Sequence, residues 1–352
     1  MPEFTEFSLA LNSAIFAGAA AVVWLAGTRI AKEADRISAK TGIGHALLGV
    51  LLLGGVTSLP EFAVTLSAST GGNSPLAINN ILGGVVMQVA ILAAADFAIG
   101  RHALTSVVPD PVVLLQGSLN IVLLSVIAMG LVVGDVPVFG IGLWVWGAAL
   151  IFLYAMWMLT QAEGRIPWQA EFADEISPLA DGDGEPDKPA KPAQAKPLRN
   201  NLISAALAAA AILIAGFLVA KTGEAIAEQT GLGSSFVGAV LVAISTSLPE
   251  LSTVLSAARL GLYTLAISDI LSTNLFDAAL IFAVDATDGS SATLNSVGTF
   301  SVVASLLGIL VTALFLVGLA ERRDRTFLRL GVDSSAVLVT YAGGLILLYT
   351  LR

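Results

Sequence analysis

The chain has 352 residues, 56% of them hydrophobic and only 12% charged, with a net charge of −9 and no cysteine. Soluble domains carry about 25% charged residues, so the composition excludes an ordinary water-soluble fold, and the missing thiols exclude disulfides, thiolate metal centres and cysteine nucleophiles. Two histidines, His45 and His102, leave a soft metal without its usual ligands.

Along the chain the apolar residues come in runs of about twenty, the length a helix needs to cross a bilayer. Spans are expected near 9–28, 43–70, 74–97, 111–132, 137–160, 200–220, 232–258, 263–286, 295–319 and 332–351. The opening MPEFTEFSLALNS is acidic and lacks a basic n-region, so the first run reads as a span rather than a signal peptide. Gly134-Asp135-Val136-Pro137 forms the short turn between the fourth and fifth spans. With the N-terminus outside, 15 of the 17 Lys and Arg residues fall in inside loops, leaving Lys221 and Arg352 outside. That is the distribution the positive-inside rule favours. The expectation is a multi-pass integral protein of a prokaryotic cytoplasmic membrane with both termini outside.

Residues 161–199 differ in kind. They hold eight acids against five bases, and DGDGEPDKPAKPAQAKP carries four prolines and few apolar side chains other than Ala. Such a stretch cannot bury enough surface to fold, and it reads as a flexible cytoplasmic linker. Its acidity explains part of the net charge and is no partner signal; no nucleic-acid partner is expected. The linker separates residues 1–160 from 200–352, five expected spans on each side.

The two parts are copies. A shift of 189 residues carries Thr57-Ser58-Leu59-Pro60-Glu61 onto Thr246-Ser247-Leu248-Pro249-Glu250, and Asn80 onto Asp269; 19 of the 42 positions from 41 to 82 are identical without a gap. Five is odd, so the second copy enters the membrane from the opposite side. The expected fold is an all-α polytopic membrane protein of ten transmembrane helices, arranged as two inverted five-helix repeats with broken helices at the midplane. Secondary transporters use that plan, with the site where the repeats meet.

The repeated stretch has a clear physical content. Proline lacks an N–H and clashes with the carbonyl four residues earlier, so Pro60 and Pro249 are expected to free the carbonyls of Val56 and Ser245. A carboxylate at bilayer depth costs at least ~2.5–3.5 kcal/mol, yet Glu61 and Glu250 both sit there. Thr57 and Thr246 each precede their glutamate by one turn and share its face. Carbonyls, hydroxyls and carboxylates are oxygen ligands suited to hard cations such as Na⁺ or Ca²⁺. The next span adds Asn80 in one copy and, in the other, a stripe of Asp269, Thr273 and Asp277. Asp277 and Gln88 read equally as an interhelical hydrogen bond or an ion contact. Gln116 and Asn120 read as packing, and Asp96 and Asp285, also equivalent under the shift, as solvated helix ends.

These segments resemble the α-repeats of the cation/calcium antiporter superfamily, whose best-known branch is the sodium/calcium exchangers. The resemblance covers about 30–96 and 219–285 and rests on GVTSLPE and AISTSLPE. It implies cation exchange by alternating access. It implies that Thr57, Ser58, Glu61 and Asn80 bind the ions together with Thr246, Ser247, Glu250 and Asp269, and that the first and sixth spans slide as a gate. Two departures bear on the driving ion. Where the family shows G-S-N, the first copy has Gly83-Gly84-Val85, while the second keeps Ser272-Thr273-Asn274. The glycine before Asn80 and Asp269 is replaced by Asn79 and Ser268.

The leading expectation is a secondary active antiporter exchanging Ca²⁺ for Na⁺. The alternative keeps the fold and uses H⁺ as the driver. An ion channel is less favoured, because acids buried between repeats suit an occluded site better than a continuous pore. An enzyme is not expected, since no nucleophile–base pair stands at depth. No cofactor is expected; inorganic cations and the lipid bilayer are the expected partners.

Overall fold

The computed structural model describes residues 4–41, 55–99, 104–106, 112–162, 198–259, 263–288, 292–321, 326–327 and 330–351. Most of the expected linker and the first part of the second expected span, 43–54, lie outside the described residues, as do His45 and His102.

The first half opens with α1 (Leu9–Thr41), followed by the single turn α2 (Gly55–Thr57), α3 (Leu59–Thr70), α4 (Ser74–Ile99) and α5 (Val112–Val133). A hairpin of β1 (Pro137–Val138) and β2 (Ile141–Gly142) then leads into α6 (Leu143–Ala162). The second half opens with α7 (Leu198–Thr230). One broken helix follows: α8 (Ser234–Val237), a π-helical turn at Gly238–Val242, α9 (Ala243–Thr246) and α10 (Leu248–Arg259). Next come α11 (Tyr263–Ala279), α12 (Ile281–Thr287), α13 (Thr299–Glu321), a hairpin of β3 (Thr326–Phe327) and β4 (Leu330–Gly331), and α14 (Val332–Thr350).

The shift of 189 found in the sequence governs these bounds as well. It carries α1 onto α7, α3 onto α10, and β1–β2 onto β3–β4, end to end. It also carries the first residue of α6 onto the first of α14.

Eight helices among the described residues are long and apolar enough to span a membrane. The pair Ser234–Thr246 and Leu248–Leu255, bent by 44°, makes a ninth if counted as one span. Apolar side chains such as Leu25, Leu150, Trp157, Leu207, Ile214, Val339 and Ile346 are exposed on the periphery. In water that would be a liability; in lipid it is the matching solvent. The core lies around α4, which is buried along nearly its whole length and packs on α3, α10, α11, α13 and α14.

Two features differ from the sequence expectation. Helices α1 and α7 run well past the expected spans 9–28 and 200–220, because charged residues end an apolar run without ending a helix. The two hairpins were not expected. Between β1 and β2, Phe139 and Gly140 have φ of 54° and 82°. Two consecutive positive φ angles are what a two-residue turn needs to match strand twist.

The interruption in each repeated stretch falls at the serine. Ser58 (φ −73°, ψ 1°) separates α2 from α3, and Ser247 (φ −82°, ψ 8°) separates α9 from α10. Pro60 and Pro249 are each the second residue of the new helix, where a missing N–H has no partner to lose. Close approach to α4 needs small residues. A Cβ on Gly83 would overlap the backbone of Ala239, and one on Gly238 would stand 2.6 Å from the carbonyl oxygen of Leu76.

Candidate cation site

The breaks bring the two motif segments to the centre of the core. Thr57, Glu61, Thr246, Glu250 and Asn80 are fully buried, and Ser58, Ser247 and Asp269 nearly so. Both carboxylate oxygens of Glu61 and both of Glu250 lack a hydrogen-bond partner. The contacts around them cross between the halves. Glu61 lies against Thr246 and Glu250 against Thr57, in arrangements that fall short of hydrogen-bond geometry. Thr57 and Glu61 carry onto Thr246 and Glu250 under the same shift, so the two contacts are equivalent.

Other contacts tie the motif segments to the neighbouring helices. The hydroxyls of Thr57 and Thr273 stand 3.2 Å apart. Thr246 Oγ1 donates to Asn80 Oδ1 at 3.5 Å, at the long limit for such a bond. On α4 and α11, Gln88 Nε2 donates to Asp277 Oδ2 at 2.9 Å. Gln88 Oε1, Asp277 Oδ1, Ser58 Oγ, Ser247 Oγ and Asn80 Nδ2 are all buried without a partner.

Four carboxylates share this volume. Glu61 is repelled by Glu250 and Asp277, and Glu250 by Asp277 and Asp269. Asp269 stands to one side: its Oδ2 accepts from Thr253 Oγ1 at 2.6 Å, and Glu61 is not among its close charges. Among the described residues no three acidic, histidine or cysteine side chains converge on one point as in a closed, preformed metal centre. What the arrangement offers is a set of carboxylate, hydroxyl and amide oxygens from six helical segments, α2, α3, α4, α9, α10 and α11, spread over a central volume. A desolvated carboxylate without a partner is costly. A hard cation relieves that cost by taking oxygens from several of these groups at once.

A family profile described as sodium/calcium exchanger protein matches residues 11–162 and 201–351, which is most of the chain. The chain belongs to the sodium/calcium exchanger family. The putative antiporter CaxA of Alkalimonas amylolytica is 23% identical over 273 residues, covering 77% of this chain and 78% of its own. The sodium-calcium exchanger NCX_Mj, in a structure soaked with 2.5 mM Na⁺ and 0.1 mM Ca²⁺, superposes with a TM-score of 0.60 at 16% identity, covering 97% of this chain and 99% of its own. The H⁺/Ca²⁺ exchanger CAX superposes with a TM-score of 0.68 at 13% identity, covering 97% and 85%. At such identities the two structures speak for the fold, and they share it nearly end to end.

Within this exchanger-family fold, the eight residues singled out from the sequence are all buried, and Thr57, Glu61, Thr246, Glu250 and Asn80 are brought together. Asp269 is nearer the edge, and Asp277 is more central than the sequence alone conveyed. The signal was available: Asp277 ends the polar stripe on α11, and it stands 189 residues from Gln88, so the two residues that meet are equivalent. Gln116 and Asn120 lie behind α11, where Gln116 Nε2 donates to Ser268 Oγ at 2.7 Å and Ser272 Oγ at 3.1 Å.

One expectation is corrected. Asp96 and Asp285 are not solvated helix ends. Both are buried, and each accepts two backbone N–H bonds, from Leu104 and Gly331 and from Gly142 and Thr293 respectively. A carboxylate can end an apolar run and still be dry when backbone donors fold over it.

Proposed function

We propose that the chain is a secondary active cation antiporter, exchanging Ca²⁺ for Na⁺ by alternating access through the central site. The observation that carries the reading is the pair Glu61 and Glu250, equivalent in the two halves, fully buried and with all four oxygens unpartnered. Groups of this kind are functional by default at membrane depth, and only a positive charge offsets several of them together. Thr57, Ser58, Glu61, Asn80, Thr246, Ser247, Glu250 and Asp269 are the proposed ligand set. Asp277 joins it because its carboxylate repels both glutamates.

The proposed frame is two inverted five-helix repeats, 1–160 and 200–352, joined by a cytoplasmic linker at 161–199, with both termini outside the cytoplasmic membrane of a prokaryotic cell. The repeated element bounds and the reciprocal Thr–Glu contacts support it. The test is flux in proteoliposomes. Uptake of labelled Ca²⁺ should follow an imposed Na⁺ gradient; uptake that ignores both Na⁺ and pH gradients would overturn the antiporter reading.

A second reading replaces Na⁺ by H⁺. It is favoured by the asymmetry between Thr273 on α11 and its equivalent Gly84 on α4, where a Cβ would meet nothing within 4 Å. The hydroxyl present in one copy is thus missing from the other, which weakens a site for a small dehydrated cation. Ca²⁺ uptake that follows a pH gradient and ignores Na⁺ would select this reading.

A further inference from the structure

The buried aspartates Asp96 and Asp285 make four hydrogen bonds that fit one rule. Asp96 Oδ1 accepts from Leu104 N at 2.6 Å and its Oδ2 from Gly331 N at 2.6 Å. Asp285 Oδ1 accepts from Thr293 N at 2.5 Å and its Oδ2 from Gly142 N at 2.5 Å. The shift of 189 turns Asp96 into Asp285, Leu104 into Thr293, and Gly142 into Gly331. Each carboxylate therefore holds one amide from its own half and one from the other half's hairpin. These are charge-assisted bonds, roughly twice as strong as neutral ones.

The positions of these clamps give them a use. Asp96 lies eight residues beyond Gln88, and Asp285 eight beyond Asp277, about 12 Å along a helix at 1.5 Å per residue. Gln88 and Asp277 bond to each other across the two halves at the centre. Each central helix is thus tied to the opposite half twice, once at the site and once about two turns further on. Resting on the antiporter reading above, we propose that Asp96 and Asp285 are positioning residues: they fix the axial position of α4 against the second half's hairpin and of α12 against the first half's, and so set how α4 and α11 meet beside the carboxylates that take the cation.

Two variants break the same bond from opposite sides. Asp96→Ala removes both acceptor oxygens, the one that takes Gly331 N–H included. Gly331→Pro removes the N–H itself, and the native φ of −56° already suits a proline ring. Ca²⁺ affinity, maximal flux and thermal midpoint are measured for the wild type, both single variants and the double variant. The expected result is an affinity about tenfold weaker in each single variant, a smaller change in maximal flux, and a double variant no weaker than either single, as a shared interaction requires. An unchanged affinity with a lowered thermal midpoint would overturn the proposal, leaving a purely structural cap; so would additive losses. If the wild type itself bound no cation, the antiporter reading would fail separately. The register claim would then be read from hydrogen exchange over 84–92: both variants should raise it equally, and unchanged exchange would overturn it.

Discussion

Gln88 and Asp277 touch at 2.9 Å, side chain to side chain, and they are equivalent positions of the two copies. Direct contact between equivalent positions is what the proposed inverted repeat requires beside its axis, and both residues are fully buried. Glu61, Glu250 and Asp277 all act on one another there, and each carboxylate keeps at least one oxygen without a hydrogen-bond partner.

Glu61→Gln and Glu250→Gln should each abolish exchange or weaken apparent Ca²⁺ affinity by about two orders of magnitude, the scale of a lost charged contact at a buried site. Packing volume barely changes, so membrane insertion and the elution profile in detergent should stay as in the wild type. Labelled Ca²⁺ flux in proteoliposomes checks this. Normal transport by either variant would remove that glutamate from the ligand set.

The two aspartates on α11 should separate. Asp277 repels both glutamates, whereas Asp269 repels Glu250 and already accepts a hydrogen bond from Thr253. Asp277→Asn should therefore weaken Ca²⁺ binding more than Asp269→Asn, by about tenfold between them for one charged contact. Calorimetric titration of the two variants decides the order, and equal losses would contradict the geometry.

Gly84→Ser supplies a hydroxyl at the position equivalent to Thr273, in a place with room for it. Its expected effect is a several-fold rise in Na⁺ affinity, read as a lower Na⁺ concentration for half-maximal Ca²⁺ uptake. The helix should also gain about half a kcal/mol from losing a glycine.

Gly83→Val should do the reverse to stability. Its Cβ would overlap the backbone of Ala239 in the π-helical turn, and backbone has no rotamer by which to yield. A loss of about 1–3 kcal/mol is expected from such overpacking. A thermal-shift assay in detergent, with Gly84→Ser as the neighbouring control, measures it.

Much of this was legible in the sequence, for reasons that also explain what was not. Glu61 and Glu250 stood out because a carboxylate in an apolar run is costly and because it occurred twice at one offset. Asp277 did not, because a polar residue on an apolar helix looks the same whether it bonds a neighbouring helix or faces an ion; here it bonds Gln88 and still lies within reach of both glutamates. Asp96 and Asp285 were misread because hydropathy is local, while the donor that dries Asp96 is Gly331, far along the chain. The hairpins escaped notice because two-residue strands are too short to show an alternating pattern. The serine breaks differ from the simple proline-kink expectation by only two residues, since proline is most at home in the first turn of the helix it begins.

The central claim is that these buried oxygens exist to hold a cation, and anomalous scattering from crystals soaked in Sr²⁺, a heavier stand-in for Ca²⁺, tests it most directly. The account predicts a peak within about 2.3–2.6 Å, the usual calcium–oxygen range, of oxygens from both Glu61 and Glu250. A fully occupied Sr²⁺ peak elsewhere, with both glutamates still bare of metal, would contradict it.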